Sequence, residues 1–316
     1  MILLPLFVAN SAHAAVDDTL EMLEDAAENP FPEDPVRLRD RRIPPIRLQL
    51  DEDVTWSDFQ GTDVTTIRTK LNARVILPLS KTFIMSASTY GAVTNTLFSG
   101  RGNVIETGRT SGDAWDELYE FSLRLQARYL LTERWGLLFA SWMTSRFEQG
   151  ASFRSGMKGA GALAMTYNFG DRVSVSAGLA VSSRIVGGGT SVNPIVIASW
   201  QINDVHELAT SGLGVRLKSN WNKTLTTFVY GRFKGRRWRL DDREDGIVNK
   251  GTLRDRQAPI GVGIRWKFLK RWSLRGDFGL LVYRQLKTTN EDDDSINTRT
   301  SSGPGVFGGL LLAWRY

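Results

Sequence analysis

The chain of 316 residues has no cysteine, so disulfides, thiolate metal sites and a cysteine nucleophile are excluded. It has two histidines, His13 and His206, which leaves little material for acid–base catalysis near neutral pH. No uncharged run of 18 apolar residues occurs, and that excludes an ordinary transmembrane helix. No phosphate-cradling loop follows a buried strand, and Gly187-Gly188-Gly189 reads as flexible loop. Bases are missing from residues 15–36, where Asp17, Asp18, Glu21, Glu24, Asp25, Glu28, Glu33 and Asp34 stand without a Lys or Arg. Over the whole chain 40 bases nearly balance 34 acids, a formal charge of +6, so placement matters more than total.

What the chain does have is period-two alternation, interrupted six times by a short polar step between large apolar residues. The steps are Leu77-Pro78-Leu79-Ser80-Lys81-Thr82-Phe83, Tyr129-Leu130-Leu131-Thr132-Glu133-Arg134-Trp135, Tyr167-Asn168-Phe169-Gly170-Asp171-Arg172-Val173, Trp200-Gln201-Ile202-Asn203-Asp204-Val205-His206, Ser219-Asn220-Trp221-Asn222-Lys223-Thr224-Leu225 and Trp266-Lys267-Phe268-Leu269-Lys270-Arg271-Trp272. Each reads as a strand, a tight turn and a returning strand with a large side chain at an interface. Between the steps Tyr119, Phe121, Leu123, Leu125, Ala127 and Tyr129 alternate with Glu120, Ser122, Arg124, Gln126 and Arg128. One face is apolar and the other wet. A base on a lipid face at mid-bilayer costs about 2–4 kcal/mol, so a one-residue slip is penalised and register is well specified.

The fold class expected is all-β: a transmembrane antiparallel up-and-down β-barrel of 14 strands near 46–50, 64–79, 83–91, 116–131, 135–147, 157–169, 173–183, 194–203, 206–211, 214–221, 225–237, 259–268, 272–285 and 304–316. If 206–211 and 214–221 merge or leave the wall, the count becomes 12. A soluble barrel with its apolar face inward would have to fill a lumen that fourteen strands make too wide for side chains. Phe83, Trp135, Tyr167, Trp200, Trp266 and Trp272 at the strand ends read instead as an interfacial girdle.

The chain ends with Leu310, Leu312, Trp314 and Tyr316 on one face. This resembles the C-terminal assembly signal of bacterial outer-membrane proteins, with Tyr in place of the commonest Phe. The turn motif, the Asn193-Pro194 to Asn203-Asp204 segment and the barrel-wide pattern resemble a family of uncharacterised, porin-like outer-membrane barrels over residues 46–316. The resemblance is architectural and implies a bacterial outer-membrane location, with the lipid bilayer, lipopolysaccharide and the barrel-assembly machinery as partners and no nucleic acid. Residues 2–8 are apolar and precede Ala12-His13-Ala14, so residues 1–14 read as a signal peptide, although no base precedes them. Residues 15–45, acidic, then basic and proline-containing, read as a periplasmic extension: a tether, a short helix or a plug for a basic lumen.

Projecting the alternation inward puts Arg47, Arg68, Lys70, Arg74, Arg124, Arg128, Arg146, Lys158, Arg216, Lys218, Arg232, Lys234, Arg265, Lys267, Arg275 and Arg315 on the wet face, against Glu120 and Asp277 alone. Of these, Arg68, Lys70, Arg74, Arg124, Arg128, Lys158, Arg265, Lys267 and Arg275 are the candidate lumen lining. Like-sign rings in a low-dielectric wall favour a permeant ion of opposite sign, so the expected function is a narrow channel or transporter for small anionic solutes. The bland reading is an arginine ladder that braces the wall, in a closed structural or adhesive barrel whose outer loops bind a partner. An outer-membrane hydrolase ranks a distant third. Asp204-Val205-His206 is similar to the Asp-x-His pair of omptin proteases but stands at a turn, without the surrounding motifs, and His206 occupies a girdle slot. No catalytic residue, cofactor or metal site is assigned: Glu291-Asp292-Asp293-Asp294 lacks the glycine-punctuated spacing of a calcium loop.

Overall fold

The computed structural model describes residues 47–59, 64–98, 117–183, 189–211, 213–241, 251–290, 295–300 and 304–315. The expected signal peptide, the acidic extension, the 291–294 cluster and Tyr316 lie outside them. The described strands are β1 (Arg47–Phe59), β2 (Val64–Pro78), β3 (Phe83–Phe98), β4 (Leu118–Leu130), β5 (Trp135–Glu148), β6 (Met157–Phe169), β7 (Val173–Ser183), β8 (Thr190–Gln201), β9 (His206–Ser211), β10 (Gly214–Asn220), β11 (Leu225–Arg232), β12 (Lys234–Arg239), β13 (Thr252–Lys267), β14 (Trp272–Thr289), β15 (Ser295–Thr300) and β16 (Gly305–Arg315).

All sixteen belong to one sheet. Each of β1 to β10 pairs with the next strand, β11 pairs with β13, β13 with β14, β14 with β16, and β16 returns to β1. Sixteen strands less β12 and β15, which continue β11 and β16, leave fourteen in the closed ring. The β9 and β10 segments remain separate strands, so the twelve-strand count is set aside.

Each of the six polar steps links two consecutive strands of the ring, and they gather at one end of it. Their geometry has a common cause. Ser80 Oγ accepts the N–H groups of Thr82 and Phe83, and Thr132 Oγ1 accepts those of Arg134 and Trp135. Asn203 Oδ1 accepts from Val205 and His206, and Asn222 Oδ1 from Thr224 and Leu225. A short polar side chain three residues before the new strand thus satisfies the backbone that the turn exposes. Gly170 serves the tightest step, with a φ of 68° that other residues resist.

The strand limits depart from expectation where pairing is non-local. β1 runs on to Phe59 instead of stopping near residue 50, because both of its edges are occupied, by β2 and by β16. Asp51, Glu52 and Asp53 are poor strand formers in isolation, and two ladders override that preference. The expected strand 225–237 breaks at Phe233 into β11 and β12, and part of the expected loop 238–258 is strand in β13. β15 likewise falls in the expected loop 286–303.

β12 has a second consequence. It pairs with β13 on one side and makes a parallel bridge from Arg239 to Phe147 of β5 on the other. The circuit β12, β13, β14, β16, β1, β2, β3, β4, β5 is therefore closed by itself, a ring of nine strands at the end opposite the turns. With strands about 4.8 Å apart and tilted about 40°, fourteen give a backbone diameter of about 28 Å and nine about 18 Å.

Candidate solute path

Among the described residues the outer face of the wall is predominantly apolar. Leu71 is 63% exposed, Leu163 58%, Phe278 59% and Leu310 61%. A soluble monomer rarely shows a contiguous apolar patch beyond about 600 Å², and a band of this extent needs an apolar surround. At the turn end of the band, aromatic residues sit in matching register positions of neighbouring strands, Phe83 opposite Tyr129, Trp135 opposite Tyr167 and Trp272 opposite Trp314, while Trp200 stands opposite Val173. Trp135 and Tyr167 meet at 4.6 Å, and Trp266 and Phe268 at 5.5 Å. His206 stands in this belt, its ring 5.7 Å from Trp221 and its Nδ1 2.8 Å from Ser219 Oγ. At the other end Tyr119 stacks on Phe147, which meets Phe153 edge to face. From Trp135 to Phe147 is twelve residue steps. At about 3.3 Å each and a tilt of about 40° this is about 30 Å along the axis, the thickness of a bilayer's hydrocarbon.

The inner face divides into sectors. On β2 to β5, Arg68, Lys70, Arg74, Arg124 and Arg146 are buried together with Glu120. Glu120 takes a 2.8 Å bond from Arg68 Nη2, a 2.6 Å bond from Arg146 Nε and a 2.7 Å bond from the Tyr90 hydroxyl. The Lys70 ammonium lies 4.1 Å from the centre of the Tyr90 ring. Arg74 donates to Gln126, which Ser86 also approaches. Arg128 and Lys158 stand in the same inward alternation, on β4 and at the start of β6.

Along β10, β11, β13 and β14 the inner face mixes charge with aromatic rings. Lys218 pairs with Glu207, and Arg275 pairs with Asp277 while its guanidinium carbon lies 4.1 Å from the Phe228 ring. Arg265 is opposite Arg275 in register, and Lys267 is exposed at the turn end. The aromatic rings lie along the wall, because the facing positions are glycines. A Cβ at Gly261 would come within 3.0 Å of Tyr230 and 2.8 Å of Phe307, and one at Gly263 would collide with the Phe228 ring.

The third sector, from β5 through β8, carries little charge. Leu138, Ala140, Trp142, Ala164, Ala180 and Ile195 form one cluster, set among hydroxyls such as the Thr166–Ser176 and Ser182–Ser191 pairs.

The nine-strand end is filled. Arg284 donates to both carboxylate oxygens of Asp255 at 2.9 Å and to Ser57 Oγ at 3.3 Å. Gln257 donates to the same carboxylate at 2.7 Å. Glu148 accepts from the backbone N–H of Asp241, and Trp238, Leu253 and Arg284 are each at most 2% exposed. Two facing walls of side chains occupy about 10 Å, which leaves about 8 Å of an 18 Å ring, and side chains buried to this degree take up that space.

The tally of two inward acids is therefore corrected. Glu148, Glu207 and Asp255 also belong to the interior. Glu148 and Asp255 were missed because the strands that carry them were cut short or read as loop, whereas Glu207 lies in the expected strand 206–211 and is absent from the wet-face projection. Among the described residues no group of three His, Asp or Glu side chains is arranged to hold a metal.

No family model matches the chain, and no curated protein does. Solved barrels are similar in overall course. An outer-membrane channel of Pseudomonas putida F1 is 10% identical with a TM-score of 0.45, covering 90% of this chain and 99% of that one. The translocator domain of the autotransporter NalP of Neisseria meningitidis is 11% identical with a TM-score of 0.37, covering 97% and 98%. The toluene transporter TodX of P. putida is 11% identical with a TM-score of 0.38, covering 86% and 89%. Likeness at this level assigns neither cargo nor residue roles.

Proposed function

We propose that the protein is a bacterial outer-membrane barrel that passes small solutes, with a preference for anions. The observation that carries the reading is the two-faced wall: a fourteen-strand ring apolar outside, between two aromatic belts, and polar and basic inside. Only helices and closed barrels satisfy their backbone in hydrocarbon, and an even strand number with short turns gathered at one end suits the outer-membrane type. After about 5 Å of side chain from each wall, a 28 Å ring keeps about 18 Å of lumen. Arg124 and Arg128 on one side and Arg265 and Arg275 on the other give that lumen its sign.

Purified protein in planar bilayers should conduct and, across a potassium chloride gradient, give a reversal potential of chloride preference. The preference should shrink with salt as the Debye length falls from about 10 Å at 0.1 M to about 3 Å at 1 M. The filled nine-strand end supports a second reading, a closed barrel whose role lies in its outer loops. Absence of conductance from correctly folded protein would select it.

A further inference from the structure

Among the described residues the wall has a gap between β8 and β12. β7 holds β8 along its full length, from Thr190 to Trp200. On the other edge β9 pairs with it only at Ser199, Trp200 and Gln201. The β9–β10 hairpin then turns back, with Ser211 opposite Gly214. β11 follows β10 as far as Arg232, and beyond it β12 swings away to β5. Among the described residues nothing pairs with the β9-facing edge of β8 over 190–197.

The sequence is adapted to that open edge at Pro194. The Ala198 N–H donates to Thr210 Oγ1 on the β9 side, whereas the Gln201 N–H donates to Arg172 O on the β7 side. Backbone N–H groups alternate sides along a strand, so residue 194 turns its nitrogen to the unpaired edge. It is a proline, which has no N–H to leave unsatisfied there. Pro78 ends β2, and Pro259 sits at the register shift between β13 and β14, both places that tolerate a proline.

The gap opens at the level of the apolar band, since Val192 and Val196 on the outer face of β8 are 59% and 60% exposed. Hydrocarbon tolerates an unpaired strand edge only where the edge is buried in protein or lines a water-filled cavity, and the exposed outer face of β8 beside it favours the second. Behind the gap one side of the inner wall is the neutral cluster of Trp142, Ala164, Ala180 and Ile195. On the other side Arg232 lies 5.5 Å from the Tyr230 ring, and Arg216 is the register partner of Tyr230.

We propose that the gap is a side portal for small amphipathic anions, the apolar or aromatic body sliding along the β5–β8 cluster and the anionic head meeting Arg232 and Arg216. It rests on the channel reading and gives that channel its exit and cargo class: the nine-strand end is filled, so solute from the fourteen-strand lumen leaves sideways.

The absence of cysteine makes the test direct. Phe147→Cys with Arg239→Cys places one disulfide across the β5–β12 bridge, whose partners lie in register and at a Cα spacing a disulfide accepts. In proteoliposomes holding the full mature chain, the probe is benzenesulfonate, charged at every working pH, with methanesulfonate as the control lacking an apolar body. The expected results are faster flux of benzenesulfonate than of methanesulfonate and no change between oxidised and reduced double-cysteine protein. A loss of about tenfold is expected for Ala180→Trp, which narrows the portal, and Arg232→Gln should slow benzenesulfonate more than methanesulfonate. Ala162→Trp, in the same tract, replaces Ala180→Trp if that variant does not fold. Flux blocked by the oxidised disulfide, or untouched by the tryptophan, would overturn the portal and put the route through the nine-strand ring. Equal flux of the two sulfonates would overturn the cargo class. A wild-type protein passing neither chloride nor sulfonate would instead bring down the channel reading itself.

Discussion

The β2–β5 wall and the β5–β8 wall are built by the same alternation, yet they solve opposite problems. In the first, the inward positions hold long basic side chains, and burial forces each charge into an arrangement: Arg68 and Arg146 converge on Glu120, and Tyr90 completes the carboxylate. In the second, the inward positions of β6 to β8 beyond Lys158 are mostly Ala, Ser, Thr and Ile, packed with Leu138 and Trp142 of β5, and the hydroxyls need at most one partner each. Paired charges fill and brace a narrow ring, while small neutral residues leave room. The difference follows the architecture, for β2–β5 belong to the nine-strand ring and β6–β8 lie outside it.

β16 serves both regions, since it closes the large ring and the small one through β14 and β1. The largest effect is therefore expected from its end. Deleting Tyr316, which follows the strand and belongs to the segment that resembles an assembly signal, should leave little folded protein, read as loss of the heat-modifiable band in membrane fractions. Normal levels would show that closure does not depend on that signal.

Next comes the filled end. Arg284→Met leaves the Asp255 carboxylate buried without its bidentate donor, and breaking one side of a buried pair costs about 3–5 kcal/mol. The urea midpoint of the heat-modifiable form should fall accordingly. Adding Asp255→Leu should restore much of the loss, because an apolar pair of similar volume often replaces a buried ion pair at little cost. A single variant as stable as wild type would mean that water reaches the pair and that the nine-strand end is open.

Selectivity is a smaller shift and compares the two walls directly. Arg124→Gln with Arg128→Gln removes two bases from the β4 inner face while leaving the Arg68–Glu120–Arg146 cluster intact. Chloride preference should weaken, with folding retained. Including Arg68 would confound the result, because Glu120 would lose a donor. Unchanged reversal potentials would show that ions do not pass along β4.

The turns and the registers were legible because their causes are local. A polar side chain three residues before a strand, and an outward apolar row that no base enters, are both written within a dozen residues. What escaped was set by partners distant in sequence. Nothing around Arg239 announces a bridge to Phe147, and Asp51, Glu52 and Asp53 read as loop until two neighbouring strands are supplied. The interior acids followed the same rule: Asp255 lies in a stretch that becomes strand only because β12 and β14 flank it. Pro194 was visible in the sequence, but its meaning depends on how short β9 is.

The smallest predicted effect tests the neutral wall. Ser182 and Ser191 share a 2.8 Å hydroxyl–hydroxyl bond and are 1% and 5% exposed. Ser182→Ala removes one partner, and a single neutral hydrogen bond contributes about 1 kcal/mol, so the urea midpoint should move by a small fraction of the Arg284→Met shift. Replacing both serines with alanine should be nearly neutral, because no orphaned hydroxyl remains. If Ser182→Ala proved as damaging as Arg284→Met, the β5–β8 wall would be as tightly packed as the filled ring. The contrast between a braced end and a roomy flank would then be lost, and with it the space that a side route requires.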